Sequence, residues 1–148
     1  MVEAAAEIAP LVQPDAIPVS LTCLVIDDKS FLAEALHDIL CSLGHEAAMT
    51  TSGAEGLALL ADRRFDIVLT DLGMPGMSGW DVAMAVKAGW PELPVILVTG
   101  WGDTLGREGI EGTGVDLILT KPYTIEQLTQ ALAIVAAFRA SSHSNPPA

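Results

Sequence analysis

The chain has 148 residues, 51% of them hydrophobic, and a mean hydropathy of +0.45, enough for one globular domain with a full core. Its formal net charge of −12 and its seven scattered Lys and Arg residues work against binding a nucleic-acid backbone, and no apolar run approaches the roughly 18 residues that a membrane span needs. The two cysteines, Cys23 and Cys41, are read as buried reduced thiols rather than as a disulfide framework or a metal site.

Taken in order, the chain begins with MVEAAAEIAPLVQPDAIPVS, which is acidic, lacks a basic segment and contains Pro10, Pro14 and Pro18. It reads as a flexible leader over residues 1–20 rather than a signal peptide, and the chain as cytoplasmic. TCLVI (Thr22 to Ile26) is the first expected strand. Phe31, Leu32, Ala35, Leu36, Ile39, Leu40 and Leu43 then form the apolar stripe of a helix that Gly44 ends. HEAAM (His45 to Met49) is a weaker strand candidate. Ser52 with Glu55 has the spacing of a capping box and starts a second helix.

FDIVLT (Phe65 to Thr70) is the third strand, and Ser78 with Asp81 caps the next helix. PVILVT (Pro94 to Thr99) and DLILT (Asp116 to Thr120) are the fourth and fifth strands. The clear strands are short and almost wholly apolar, as strands buried on both faces are. Between the last two lies WGDTLGREGIEGTGV. Gly100, Gly102, Gly106, Gly109, Gly112 and Gly114 fall in this region, and each interior glycine costs a helix roughly 1 kcal/mol relative to alanine, so a short or frayed helix is expected there. Thr124 with Gln127 starts the final helix, whose Ile125, Leu128, Leu132 and Val135 share one face. SSHSNPPA reads as a disordered tail, within residues 140–148. The order β-α, five times over, implies right-handed crossovers and an α/β fold with a parallel sheet covered on both sides.

In such a sheet, ligand chemistry gathers where the strands' C-terminal ends point. Asp27 and Asp28 end the first strand, Asp71 the third, Thr99 the fourth, and Thr120 with Lys121 the fifth. Each has an ordinary explanation taken alone, as a cap, a turn residue or a solvated charge. Three carboxylates, a hydroxyl and an ammonium on one rim do not share one. Carboxylates a few ångströms apart repel unless a proton or a cation intervenes, and Mg²⁺ favours a few carboxylates with waters and a phosphate oxygen. With a metal and Lys121 neutralising an incoming phosphoryl group, a carboxylate can act as its nucleophile, and Asp71 is the candidate.

VIDDKS, LTDLGMPGMSGWD, VTGWGD and LTKPY, in that order at strand ends, resemble the receiver domain of two-component response regulators over about Leu21 to Arg139. The resemblance implies a (βα)5 flavodoxin-like, doubly wound fold with strand order 2-1-3-4-5. It implies that Asp71 accepts a phosphoryl group from a sensor histidine kinase or a histidine phosphotransfer protein, becoming an aspartyl phosphate. Asp28, Asp71 and the backbone carbonyl of Gly73 would bind Mg²⁺ directly, with Asp27 assisting through water, while Thr99 and Lys121 meet the phosphoryl oxygens. It also implies a cis Lys121-Pro122 bond, and a kinase docking on the helix surface near Phe31 to Leu36. The Pro-Gly and Ser-Gly steps after Asp71 would shape the phosphate loop.

The chain departs from the family at Ile118, three residues before the lysine, where receivers usually carry Tyr or Phe; an aliphatic side chain has no ring to swing when the threonine moves. Trp101 either borders the pocket mouth or covers a loop. Trp80, Trp90, Met74 and Met77 read as packing residues, and His37, His45 and His143 receive no role. A phosphatase of the haloacid dehalogenase type also uses Asp, Thr and Lys around Mg²⁺, but needs a second Asp two residues after its nucleophile, which Asp27-Asp28-Lys29 does not offer. A phosphorylation-independent docking module is the remaining alternative; loss of one site residue would be its expected mark. The chain is expected to be a stand-alone receiver that acts by binding a partner or by relaying phosphate, although a piece of a hybrid histidine kinase would read almost the same, and to promote only its own phosphorylation and dephosphorylation rather than to be an enzyme. Its downstream target is expected to be a protein, with no direct nucleic-acid or membrane partner.

Overall fold

The computed structural model describes residues 20–100 and 112–144. In chain order these form β1 (Thr22–Ile26), α1 (Ser30–Ser42), β2 (Glu46–Thr50), α2 (Gly53–Asp62), β3 (Ile67–Asp71), α3 (Gly79–Gly89), β4 (Val95–Thr99), β5 (Leu117–Thr120) and α4 (Ile125–Ser144). The strands make one parallel sheet in the order β2-β1-β3-β4-β5, the expected doubly wound flavodoxin-like arrangement. The expected leader, Trp101 and most of the glycine-rich stretch between β4 and β5 lie outside the described residues. Of that stretch, Gly112 and Gly114 are described, with φ of +78° and +88°, in turns that lead into β5.

Alternation along each strand explains why the strands read as continuous apolar runs. Cys23 and Val25 of β1 face α1 and α4, whose Ala33, Leu36, Leu40, Leu128, Leu132 and Val135 complete one core layer. Leu24 and Ile26 face the opposite way, against Leu60 of α2 and Val82, Ala83 and Val86 of α3. Both sets are buried, so no position on the strand can be polar until the sheet ends. Leu24, Ile26, Leu69, Ile96 and Leu97 are under 2% exposed, and full burial of such side chains contributes about 1.5–3 kcal/mol each.

The caps form as their spacings require. Ser78 accepts from Asp81 N and Asp81 returns the bond to Ser78 N, a complete capping box; Thr124 and Gln127 exchange the same pair of bonds at 2.9 and 3.0 Å. Ser52 accepts from Glu55 N at 3.1 Å, while the Glu55 carboxylate reaches Thr51 N instead of its own cap residue. Gly44 ends α1 with φ +99°.

Several boundaries differ. β2 starts at Glu46, one residue late, because His45 closes the helix before it: His45 N donates to Leu40 O, and His45 Nδ1 accepts from Leu21 N. α4 runs to Ser144, past Arg139 and into the SSHS of the expected tail. An established helix extends at the cost of one residue per bond, and no Gly or Pro interrupts it before Pro146. Cys41 corrects the expectation of two buried thiols. Cys23 is buried but Cys41 is exposed, since α1 buries Ala33, Leu36 and Leu40 and position 41 turns a further 100° away.

Candidate functional site

Each polar residue of the rim stands where a strand runs out of core. β1 delivers Asp27 and Asp28 immediately after Ile26, and β3 ends on Asp71 itself. β4 ends on Thr99, paired in register with Thr120, and Lys121 N donates to Thr99 O at 2.8 Å, which holds the β4 and β5 ends together. The Lys121-Pro122 bond is cis, as expected.

These elements bring the side chains into one cluster. One carboxylate oxygen each of Asp27, Asp28 and Asp71 lie within 4.8 Å of one another. Lys121 Nζ is 3.3 Å from Asp71 Oδ1 and 3.7 Å from Asp27 Oδ2, both side chains almost wholly buried. Thr99 is buried and, with Asp71, Leu72, Gly73, Gly100 and Lys121, lines a cavity of about 220 Å³ that Asp71, of the three carboxylates, borders. All the residues expected at the site are therefore adjacent: Asp27, Asp28, Asp71 and Lys121 by direct geometry, Thr99 and Gly73 as walls of the same cavity.

The electrostatics are strained in the way a cation site predicts. Burial pushes the Asp27 carboxyl above the ordinary carboxylate range; the bond from Lys29 N and the charge of Lys121 oppose this, while the charges of Asp71 and Asp28 add to it. Tyr123, beyond the cis proline, is raised as well, by burial first and by the Asp27 charge second. Asp28 Oδ1 is buried without a hydrogen-bond partner. An unpaired buried carboxylate oxygen is costly, and three hard oxygen donors facing one point suit a small divalent cation. The donor set fits such a cation.

The loop after Asp71 is shaped by its own residues. Gly76 has φ +79°, Met77 N donates to Pro75 O, and Met74 is buried beneath the loop, a packing residue as expected. Gly79 N donates to Leu72 O at 2.8 Å, and a Cβ at Gly79 would collide with the Asp71 carbonyl and with Leu97. Only glycine lets α3 start this close to the end of β3. Gly73, by contrast, has open space where a Cβ would stand.

Lys29 was not singled out by the sequence. Its Nζ lies 3.9 Å from Asp28 Oδ1 and it borders the cavity. The available signal is a lysine where a helix normally takes a capping side chain. Trp80, Trp90 and Met77 pack against the α2 and α3 core layer, as expected. Ile118 does so too, in register with Leu97 on β4, half-buried beside the chain that carries Thr99. Among the described residues, no His or Cys joins a cluster of three or more potential metal ligands.

The family model described as the response regulator receiver domain matches residues 23–133. The chain belongs to the response regulator receiver domain family. It is 34% identical over 113 residues to the sensor histidine kinase RcsC of Salmonella typhi, covering 76% of this chain but 12% of that protein. It is 37% identical to the sensory transduction protein RegX3 of Mycobacterium tuberculosis, covering 76% of this chain and 49% of RegX3. Among solved structures, the response regulator protein TrrA of Thermotoga maritima, in complex with Mg²⁺-BeF, superposes with a TM-score of 0.70 at 25% identity, covering 78% of this chain and 98% of that one. This receiver thus spans about an eighth of the kinase and half of RegX3. It is a phosphorelay response regulator receiver, and no helix among its described residues is long and apolar enough to cross a membrane.

Proposed function

We propose that Asp71 is the phosphoryl acceptor and that a sensor histidine kinase or a histidine phosphotransfer protein is the donor. The observation that carries this is the position of Asp71, whose Oδ1 lies 3.3 Å from Lys121 Nζ, which belongs to the carboxylate cluster and which borders a cavity. An Asp71 oxygen attacks the phosphorus of the donor's phosphohistidine. The P–N bond breaks, the imidazole leaves with its electron pair, and an acyl phosphate remains on Asp71. Lys121 neutralises charge on the phosphoryl oxygens, and the Thr99 hydroxyl at the cavity wall donates to one of them.

Asp28, Asp71 and the Gly73 carbonyl would hold Mg²⁺, with Asp27 assisting through water. When bound, the ion offsets the negative charge of carboxylates and phosphate together. Hydrolysis returns Asp71 to its free form, so the chain promotes only its own phosphorylation and dephosphorylation. The exposed face of α1 is the docking surface for the donor: Phe31 is 66% exposed there, beside the rim. The free thiol on Cys41 suits a cytoplasmic setting. Output goes to a protein target through the surface around β5, without an aromatic swing at Ile118. A docking role without phosphorylation has no observation in its favour, and the closeness of Asp27, Asp28, Asp71 and Lys121 supports the phosphorylation reading.

Intact mass after incubation with phosphoramidate, with and without Mg²⁺, tests the reading. Wild type gains one phosphoryl group only with Mg²⁺, and Asp71→Asn gains none. Failure of the wild type to take up either phosphate or beryllofluoride overturns it.

A further inference from the structure

Lys29 is the residue on this rim that helix chemistry does not explain. It is the N-cap of α1, with extended backbone (φ −93°, ψ 106°), and its side chain makes no capping bond. N-cap positions favour Asn, Asp, Ser and Thr, whose oxygens satisfy the first helical N–H groups; lysine cannot. A cation there also meets the positive end of the helix dipole, and the first turn of α1 contains no acidic residue to offset it. A locally unfavourable choice of this kind marks a functional position.

The main chain of Lys29 is held by hydrogen bonds, while its side chain is half-exposed. Lys29 N donates to Asp27 Oδ1 at 3.0 Å, and Lys29 O accepts from Leu32 N and Ala33 N, both at 3.0 Å. The side chain, 54% exposed, reaches back so that Nζ lies 3.9 Å from Asp28 Oδ1. That distance is too long for a hydrogen bond, and Asp28 Oδ1 is the buried oxygen without one. Lys29 compensates the charge of Asp28 without occupying its ligand position.

We propose that Lys29 is a tethered counter-ion of the acidic cluster that competes with the divalent cation for Asp28 and so sets the metal affinity of the site. This rests on the reading of the cluster as a cation site. An ammonium beside one ligand oxygen repels an incoming dication and must swing aside when the cation binds. Lys29 therefore keeps the ion weakly held and exchangeable. Because the ammonium is half-exposed, the effect is screened, and its removal tightens binding by roughly three- to tenfold.

The test is titration of MgCl₂ into the metal-free full chain by calorimetry, for wild type, Lys29→Gln, Lys29→Arg and Asp28→Asn, at low and high ionic strength. Lys29→Gln is expected to bind about three- to tenfold more tightly than wild type, Lys29→Arg to match wild type, and the difference to shrink at high salt. Asp28→Asn is expected to bind more weakly. Wild-type affinity in Lys29→Gln, or equal tightening in Lys29→Arg, overturns the counter-ion role and leaves the cation site standing. Absence of Mg²⁺ binding in wild type and all variants overturns both.

Discussion

Lys121 Nζ lies 3.3 Å from Asp71 Oδ1, although Asp71 ends β3 and Lys121 follows β5, two strands that β4 separates. The contact exists because both side chains leave the sheet at the same edge, where the core layers end. An ammonium already in contact with the acceptor carboxylate is preorganised for the charge that a phosphoryl group brings. Lys121→Met is expected to slow phosphorylation by phosphoramidate by roughly 10²-fold, as loss of a preorganised donor does, while the fold persists. Time courses of intact mass read this directly.

Asp27 ties site chemistry to stability. Its carboxyl is raised, chiefly by burial, so the folded chain binds that proton more readily than the unfolded chain. The contribution favours the fold below the ordinary pKa of 3.8 and is lost as pH rises through the raised value, leaving a cost at neutral pH. Asp27→Asn is therefore expected to raise the melting temperature of the metal-free protein at pH 7, and to weaken Mg²⁺ binding in the same sample. A lowered melting temperature in metal-free buffer would contradict the assignment.

His45 behaves in the opposite sense. Its pKa is lowered by burial, and Nδ1 accepts from Leu21 N at 3.1 Å, so the fold holds the neutral ring. This stability is complete above the ordinary pKa of 6.5 and is lost as pH falls through the lowered one. Urea denaturation of wild type is expected to show a decline below pH 6.5 that His45→Gln reduces.

Asp116 is the bracket at the other end of β5. Its Oδ2 accepts from Val95 N at 2.8 Å and from Lys87 Nζ at 2.7 Å, and Lys87 also donates to Leu93 O. Asp116→Ala leaves the Val95 N–H and the Lys87 ammonium short of a partner. A loss of about 1–3 kcal/mol in chemical denaturation is expected, with the phosphorylation rate affected far less than by Lys121→Met.

The fold and the rim were legible because they depend on short-range signals. Two-sided burial makes β1, β3 and β4 almost wholly apolar runs, so Asp27, Asp71 and Thr99, with Lys121 after β5, mark the strand ends by being polar. Capping pairs such as Ser78 with Asp81 mark helix starts in the same local way. What escaped depends on placement in three dimensions. The exposure of Cys41 follows from which face of α1 meets the sheet, and the late start of β2 from a bond between His45 and Leu21, 24 residues apart. Lys29 stands within VIDDKS, yet its closeness to Asp28 Oδ1 depends on side-chain positions.

On this reading the phosphoryl group resides on Asp71. The most direct measurement is borohydride reduction of the chain after treatment with phosphoramidate and Mg²⁺, followed by peptide sequencing by mass spectrometry. An acyl phosphate on Asp71 is reduced to homoserine, so the account predicts homoserine at position 71 and unchanged aspartate at positions 27 and 28. Homoserine at either of those positions, or none anywhere in a protein that carries phosphate, would contradict it.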